Sequence, residues 1–176
     1  GTGTFSIGAG TILDTGATAI VNAGNNAQNW NGNFTFTGTN TLNLGTGAVT
    51  LGDNVIATVS GQTLTVGGAI GDGAATFGLT KSGVGALTLN GANTSGGGVT
   101  LAAGTLNIGD ANALGSGTLT LNGGSLDNTS GGTLTLGGNI AQTWNAGFAF
   151  TGTNNLVMGS GVVTLAANIP ITVTAG

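Results

Sequence analysis

The chain has almost no charge. Among its 176 residues one is basic, Lys81, and five are acidic, all aspartate: Asp14, Asp53, Asp72, Asp110 and Asp127. Arg, Glu, His, Cys and Tyr do not occur, and Pro170 is the only proline. Each absence removes a class of function. Nucleic acids are held by neutralising many phosphates, which a single lysine does not do, so no nucleic-acid partner is expected. Zinc, copper, haem and iron–sulfur centres draw on Cys and His, so no metal site of that kind and no cofactor is expected. Disulfide stapling is ruled out. No run of 18 apolar residues is present, so no membrane-spanning helix is expected in this segment. No secretory leader is visible, and the first residue is Gly rather than Met, which gives the expectation of a processed chain or a fragment. A net charge of −4 on 16.6 kDa gives little self-repulsion and favours self-association.

What is present is Gly, at 38 residues, with Thr, Asn, Leu and Ala. High Gly with few charges is a composition of disorder. The mean hydropathy of +0.37 and the regular placement of the aliphatic residues argue against it. Short alternating runs dominate: Phe34-Thr35-Phe36, Leu42-Asn43-Leu44, Val49-Thr50-Leu51, Leu64-Thr65-Val66, Leu87-Thr88-Leu89, Val99-Thr100-Leu101, Leu106-Asn107-Ile108 and Leu119-Thr120-Leu121. Alternation of this kind gives strands with one buried face, and the Gly, Asn and Asp that end each run turn the chain. No segment has a helical period.

The chain also repeats itself. Residues 25–60 return as 139–174 at an offset of 114 with no gap, and 20 of 36 positions are identical. Trp30 returns as Trp144, Phe34 as Phe148 and Phe36 as Phe150, and Gly1–Thr4 aligns with Gly115–Thr118. The expected organisation is one complete unit over 1–114 and the first half of a second over 115–176, continuous and without a linker, as a slice of something longer. Self-similarity at a fixed period marks a stacked architecture. Leu42, Val49 and Ile56 are seven apart, and three such steps make a 21-residue coil. Candidate coil starts at 4, 34, 55, 77, 99, 118, 148 and 169 leave one enlarged rung of about 30 residues per unit, carrying an insert over 22–33 with Trp30, and with Trp144 in its copy. The predicted fold is all-β: a parallel β-helix, a repeat solenoid of three-strand coils whose stacked apolar faces make one core. The competing fold is an antiparallel sandwich, since Asn31-Gly32, Asn90-Gly91 and Asn122-Gly123 are good hairpin turns. The regular coil length and the 114-residue return favour the β-helix. Pro170 replaces Ile56 and is expected at a strand start or corner, because proline does not donate to a ladder.

The segment from Leu79 to Gly109, LTKSGVGALTLNGANTSGGGVTLAAGTLNIG, resembles the autotransporter-associated β-strand repeat, also called the passenger-associated transport repeat. Its pattern runs L-T-K-x-G-x-G-x-L-x-L-x-G-x-N-T-Y-x-G-G-T-x-V-x-x-G-T-L. The likeness covers about 30 residues, and "AQNWNGNFTFTG" and "AQTWNAGFAFTG" look like segments that flank this repeat in very large secreted bacterial proteins. Ser95 stands where that family usually has Tyr. The resemblance implies a right-handed parallel β-helix, an extracellular or cell-surface location and no catalytic residue.

Candidate sites are few. Each of the five Asp is read as a turn former, without the paired carboxylates of a glycosidase. Gly67–Asp72 has the flavour of a calcium β-roll at the wrong spacing, and it does not recur. Lys81 is read as a solvated residue beside a turn. The glycosylation-type triplets at Asn33, Asn93 and Asn128 are read as chance matches. Trp30 and Trp144 are the candidate surface or packing aromatics, either sugar platforms or, as favoured, packing groups. Thr-x-Thr pairs (Thr35/Thr37, Thr63/Thr65, Thr118/Thr120, Thr133/Thr135, Thr172/Thr174) raise ice binding as a minor alternative. The expected function is a structural extracellular fibre or stalk that associates with itself and has no enzymatic activity. The alternative is an adhesin displaying a face for a cell surface or polysaccharide.

Overall fold

The computed structural model describes residues 3–174; Gly1 and Thr2, which open the match with Gly115–Thr118, lie outside them. The chain winds through eight stacked coils. The first holds β1 (Phe5–Ile7), β2 (Thr11–Leu13) and β3 (Ile20–Val21), and the second β4 (Gln28–Trp30), β5 (Phe34–Phe36) and β6 (Leu42–Asn43). The third holds β7 (Val49–Leu51), β8 (Val55–Val59) and β9 (Thr63–Val66), and the fourth β10 (Ile70–Gly71), β11 (Leu79–Ser82) and β12 (Ala86–Leu89). The fifth and sixth have two strands each: β13 (Val99–Leu101) with β14 (Thr105–Ile108), then β15 (Leu119–Leu121) with β16 (Ser125–Asn128). The seventh holds β17 (Leu134–Thr135), β18 (Gln142–Trp144) and β19 (Phe148–Phe150), and the eighth β20 (Leu156–Val157), β21 (Val163–Leu165) and β22 (Ile171–Val173).

Every strand pairing among the described residues is parallel, and each joins one coil to the next. This settles the choice against a hairpin sandwich. Two faces carry unbroken eight-stranded sheets, β2-β5-β8-β11-β13-β15-β18-β21 and β3-β6-β9-β12-β14-β16-β19-β22. The third face begins as β1-β4-β7-β10 and ends as β17-β20. Between them it is built from irregular backbone at residues 93–95 and a turn at residues 111–114. There Asn93 bridges three coils: its Oδ1 accepts from the Ile70 N–H at 2.7 Å and its Nδ2 donates to the Ala113 carbonyl at 2.5 Å. A side-chain amide thus replaces a ladder step where the strand is missing.

Alternation explains the interior. The inward residues of the second long sheet form one file from coil to coil, Leu42-Leu64-Leu87-Leu106-Leu126-Phe150, and Leu64, Leu87 and Leu106 are fully buried. Each such burial is worth about 1.5–3 kcal/mol, so the file is a continuous stabilising stripe along the axis. At the corners, Asn side chains hold neighbouring coils together: Asn25, Asn33 and Asn54 accept from the backbone N–H groups of Thr46, Ile56 and Gly78. An amide pair of the expected ladder type joins Asn145 to Asn122 at 2.9 Å.

The enlarged rung is not there. Paired residues in successive coils lie 19 to 24 apart throughout, and the stretch around Trp30 is the regular strand β4. The step from Thr4 to Phe34 spans one coil, Phe5 to Gln28, and then one strand more. The three sides of a coil look alike in sequence, so spacing alone does not separate one coil from one coil and a further strand. From β4 to β18 the chain makes five coils and advances one face: β4 is on the third face, and β18 is on the face of β5. The 114-residue period is therefore a screw of five and one third coils. The registers inside the returning stretch are unchanged, Trp30 on Leu51 and Trp144 on Leu165, Phe36 on Val59 and Phe150 on Val173, while the pairing just beneath it shifts by one residue, from Thr11 on Phe34 to Ser125 on Ala149.

Candidate functional site

The tryptophans sit in a repeated polar–aromatic cluster. In β4, Gln28 and Trp30 have the same parity and both point inward, and neither is exposed. Trp30 Nε1 donates to Gln28 Oε1 at 3.2 Å, and Gln28 Nε2 donates to the Leu44 carbonyl at 3.0 Å. Across the corner Phe34 meets the indole edge-on, with ring centroids 5.0 Å apart. The second copy reproduces each contact: Trp144 to Gln142 at 3.2 Å, Gln142 to the Met158 carbonyl at 2.8 Å, and Phe148 at 5.1 Å. The indole N–H, which burial would otherwise strand, is satisfied by the glutamine two residues earlier. Trp30 thus has no free ring face to offer a sugar, and Trp144 is half-buried. The glutamines escaped the sequence reading, although Gln-x-Trp recurs at the 114-residue offset and was the signal for them.

Lys81 is not solvated. It lies inward in β11 between Ala57 and Leu101 and is fully buried. Its parity with Leu79 in Leu-Thr-Lys-Ser already placed it on the inner face. Three carbonyls replace water around Nζ: Ser82 at 2.9 Å, Gly83 at 2.7 Å and Ala103 at 3.0 Å. No carboxylate pairs with it among the described residues, and desolvation lowers its pKa from 10.5 to about 8. Gly104, at φ +72°, closes over the ammonium; a Cβ there would fall 2.6 Å from Nζ. The lysine clips the turn of one coil to the turn of the next.

The aspartates are scattered; Asp14, Asp53 and Asp110 serve their own turns, Asp72 joins its turn to the next coil, and Asp127, expected in a turn, lies in β16 and binds the following coil. Asp14 accepts from the backbone of Thr15, Asp53 from Asn54 and Asp110 from Asn112. Asp72 Oδ2 accepts from Phe77 and Gly96, and Asp127 holds the N–H and hydroxyl of Thr153. Among the described residues no three acidic side chains gather as a metal would need. Asn93 and Asn128 of the glycosylation-type triplets are buried, while Asn33 is exposed.

The Thr-x-Thr pairs fall on all three faces, Thr35 on one, Thr63 and Thr172 on another, Thr135 on the third, so they form no two-column array. A single file unseen in the sequence does form: Thr80, Thr100, Thr120, Thr143 and Thr164 stand in register on the outer side of one sheet. Over the interrupted stretch of the third face lies a shallow cavity of about 420 Å³, lined by Asn93, Thr94, Asn112 and Ser116 among others.

Stacked parallel coils, an aliphatic interior and a cassette that returns with its contacts intact define a β-solenoid repeat protein. No protein-family model matches the chain, and no curated protein or solved structure matches it either. No helix among the described residues is long and apolar enough to cross a membrane.

Proposed function

We propose that this chain is a rod segment of an extracellular bacterial fibre or stalk, and that its work is mechanical. One observation carries the reading: the repeat returns with the registers inside the cassette preserved while it advances around the axis, and only the pairing beneath Phe34, Thr11 on Phe34 against Ser125 on Ala149, shifts by one residue, so the unit can be iterated without a join. The buried polar groups support it. Gln28, Gln142, Lys81, Asn93 and Asp72 all hold strands, turns or coils together within the wall. The likeness of residues 79–109 to the autotransporter-associated repeat supplies the setting, a secreted or surface-attached bacterial protein. Electron micrographs of the native material test this. Unbranched rods with no cap every 114 residues are expected; discrete capped monomers overturn the reading.

A second reading, an adhesin, draws on the cavity over the interrupted third face, where exposed Thr94, Asn112 and Ser116 offer polar groups. Glycan-array binding lost on Thr94→Trp, with the rod intact, would establish it; the fibre reading expects no binding by either protein.

A further inference from the structure

Three Asn-Gly pairs stand at corners of the solenoid: Asn31-Gly32 after β4, Asn90-Gly91 after β12 and Asn122-Gly123 after β15. All three asparagines are exposed, and among the described residues no acceptor holds the N–H of the glycine that follows. The glycines themselves are not alike. Gly32 and Gly91 are buried against the coil beneath; a Cβ on Gly32 would lie 2.9 Å from the Ala9 backbone, and one on Gly91 would meet the Gly68 carbonyl. Gly123 is half-exposed, and the nearest atom to such a Cβ is the Ala102 carbonyl oxygen at 3.8 Å. It stands at φ +135° beside Gly124 at +77°, so this corner has both room and backbone freedom. The side chains differ as well. Asn122 Oδ1 accepts from Asn145 Nδ2 of the next coil at 2.9 Å, and among the described residues Asn31 and Asn90 have no such donor. In the first copy Gly8 takes the place of Asn122 beneath Asn31, so the asparagine pair belongs to the second copy.

We propose that Asn122 is a site of self-modification, in which the Gly123 nitrogen attacks the Asn122 side-chain carbonyl while Asn145 donates to the oxygen that becomes negative. The only co-reactant is water. The Gly123 nitrogen gives its proton to solvent and bonds to Cγ, and the carbonyl π pair moves onto Oδ1. Collapse of this tetrahedral carbon breaks the Cγ–Nδ2 bond; ammonia leaves with a proton from water, and a cyclic succinimide remains. Water then opens the ring at either carbonyl, giving aspartate or isoaspartate. A donor already aimed at the developing oxyanion lowers the barrier, and the open glycine lets the main chain turn into the attack. At Asn31 and Asn90 the packed glycine resists that turn. Either product adds a negative charge to a chain of net −4, and isoaspartate also puts a methylene into the main chain between β15 and β16. The chemistry is independent of the rod's setting.

The test follows the whole chain at mildly alkaline pH, digested and mapped by mass spectrometry with fragmentation that separates aspartate from isoaspartate. Modification is expected at Asn122 first, at least about tenfold faster than at Asn31 or Asn90, and about tenfold slower there in Asn145→Ala. Asn145 is exposed, so this exchange leaves the core filled. In concentrated urea the three sites are expected to react alike and the variant to match the parent, because the selectivity belongs to the fold. Asn31 or Asn90 keeping pace with Asn122 in the folded chain overturns the proposal, and so does an order of sites that survives in urea. Unchanged or faster reaction at Asn122 in folded Asn145→Ala overturns the donor role of Asn145.

Discussion

Residues 25–60 and 139–174 are nearly one sequence in two settings. The first is enclosed by coils on both sides, while the second ends at the last coil and lies one face further round the axis. Local conformation is nearly the same in both, although β22 is two residues shorter than β8. Asn25 and Asn139 share a left-handed backbone, at φ 47° and 46°, and accept from the equivalent N–H groups of Thr46 and Ser160. The Gln–Trp–Phe clusters superpose contact for contact. What differs is enclosure. The cassette's shape is thus set by its own residues and by the coil beneath, whichever face it occupies, while its burial is set by the coil above. One sequence change shows the first rule at the level of single atoms. Asn33 binds the Ile56 N–H at 2.7 Å. In the second copy both partners change together, to Gly147 and Pro170, and a Cβ on Gly147 would lie 2.7 Å from the proline ring. Proline is accepted here because the N–H it removes was held by a side chain rather than by the ladder.

The largest break in the comparison comes from the indoles. Trp30→Ala is expected to cost about 3–5 kcal/mol, a buried aromatic lost with its cavity left behind, and Trp144→Ala roughly half of that. Urea midpoints of the two variants measure the gap; equal losses would mean that the last coil is covered in solution. Next comes the Gly–Pro exchange. Gly147→Asn alone is expected to destabilise by about 1–3 kcal/mol through overpacking against Pro170. Adding Pro170→Ile is expected to recover most of that loss, a coupling read from a double-mutant cycle. The smallest effect is the cleanest. Lys81 has a folded pKa of about 8 against 10.5 for a free lysine, so between those values the unfolded chain holds more protons. Stability therefore climbs as pH rises from about 8 to 10.5 and is flat above. The gain is on the order of 1 kcal/mol after allowance for the solvent near a turn. No Tyr, Cys or second lysine titrates in that window. Lys81→Met is expected to abolish the slope in pH-dependent urea unfolding.

The parallel solenoid and its core were legible because alternation and a 21-residue spacing are local patterns with one geometric solution. The phase was not. Nothing in Leu-Thr-Leu says which of three equivalent sides it occupies, so the coil count ran 30 residues where the structure has a coil of 23 and one strand. Trp30 and Trp144 were found, but their glutamine partners were not, because a polar residue among Asn and Thr carries no burial signal of its own. Lys81 was misplaced for a different reason: charge was weighed above parity. Asn93 shows where side-chain reading stops, since its amide works only because the strand beside it is missing.

Among the described residues, the interrupted stretch at residues 93–95 and 111–115 is the one place where a wall of the solenoid lacks its strands and is held by isolated backbone bonds such as Thr94 N–H to the Ile70 carbonyl. Were the period a whole number of coils, every copy would put that gap on the same side, and a long chain would have a seam along which to bend or split. Advancing one face per period winds the gaps into a spiral instead. Three periods, sixteen coils and roughly 77 Å of rise, bring them back to the starting side. A rod built this way spreads its flaws evenly round its circumference, so that, averaged over that length, it has no preferred direction of bending.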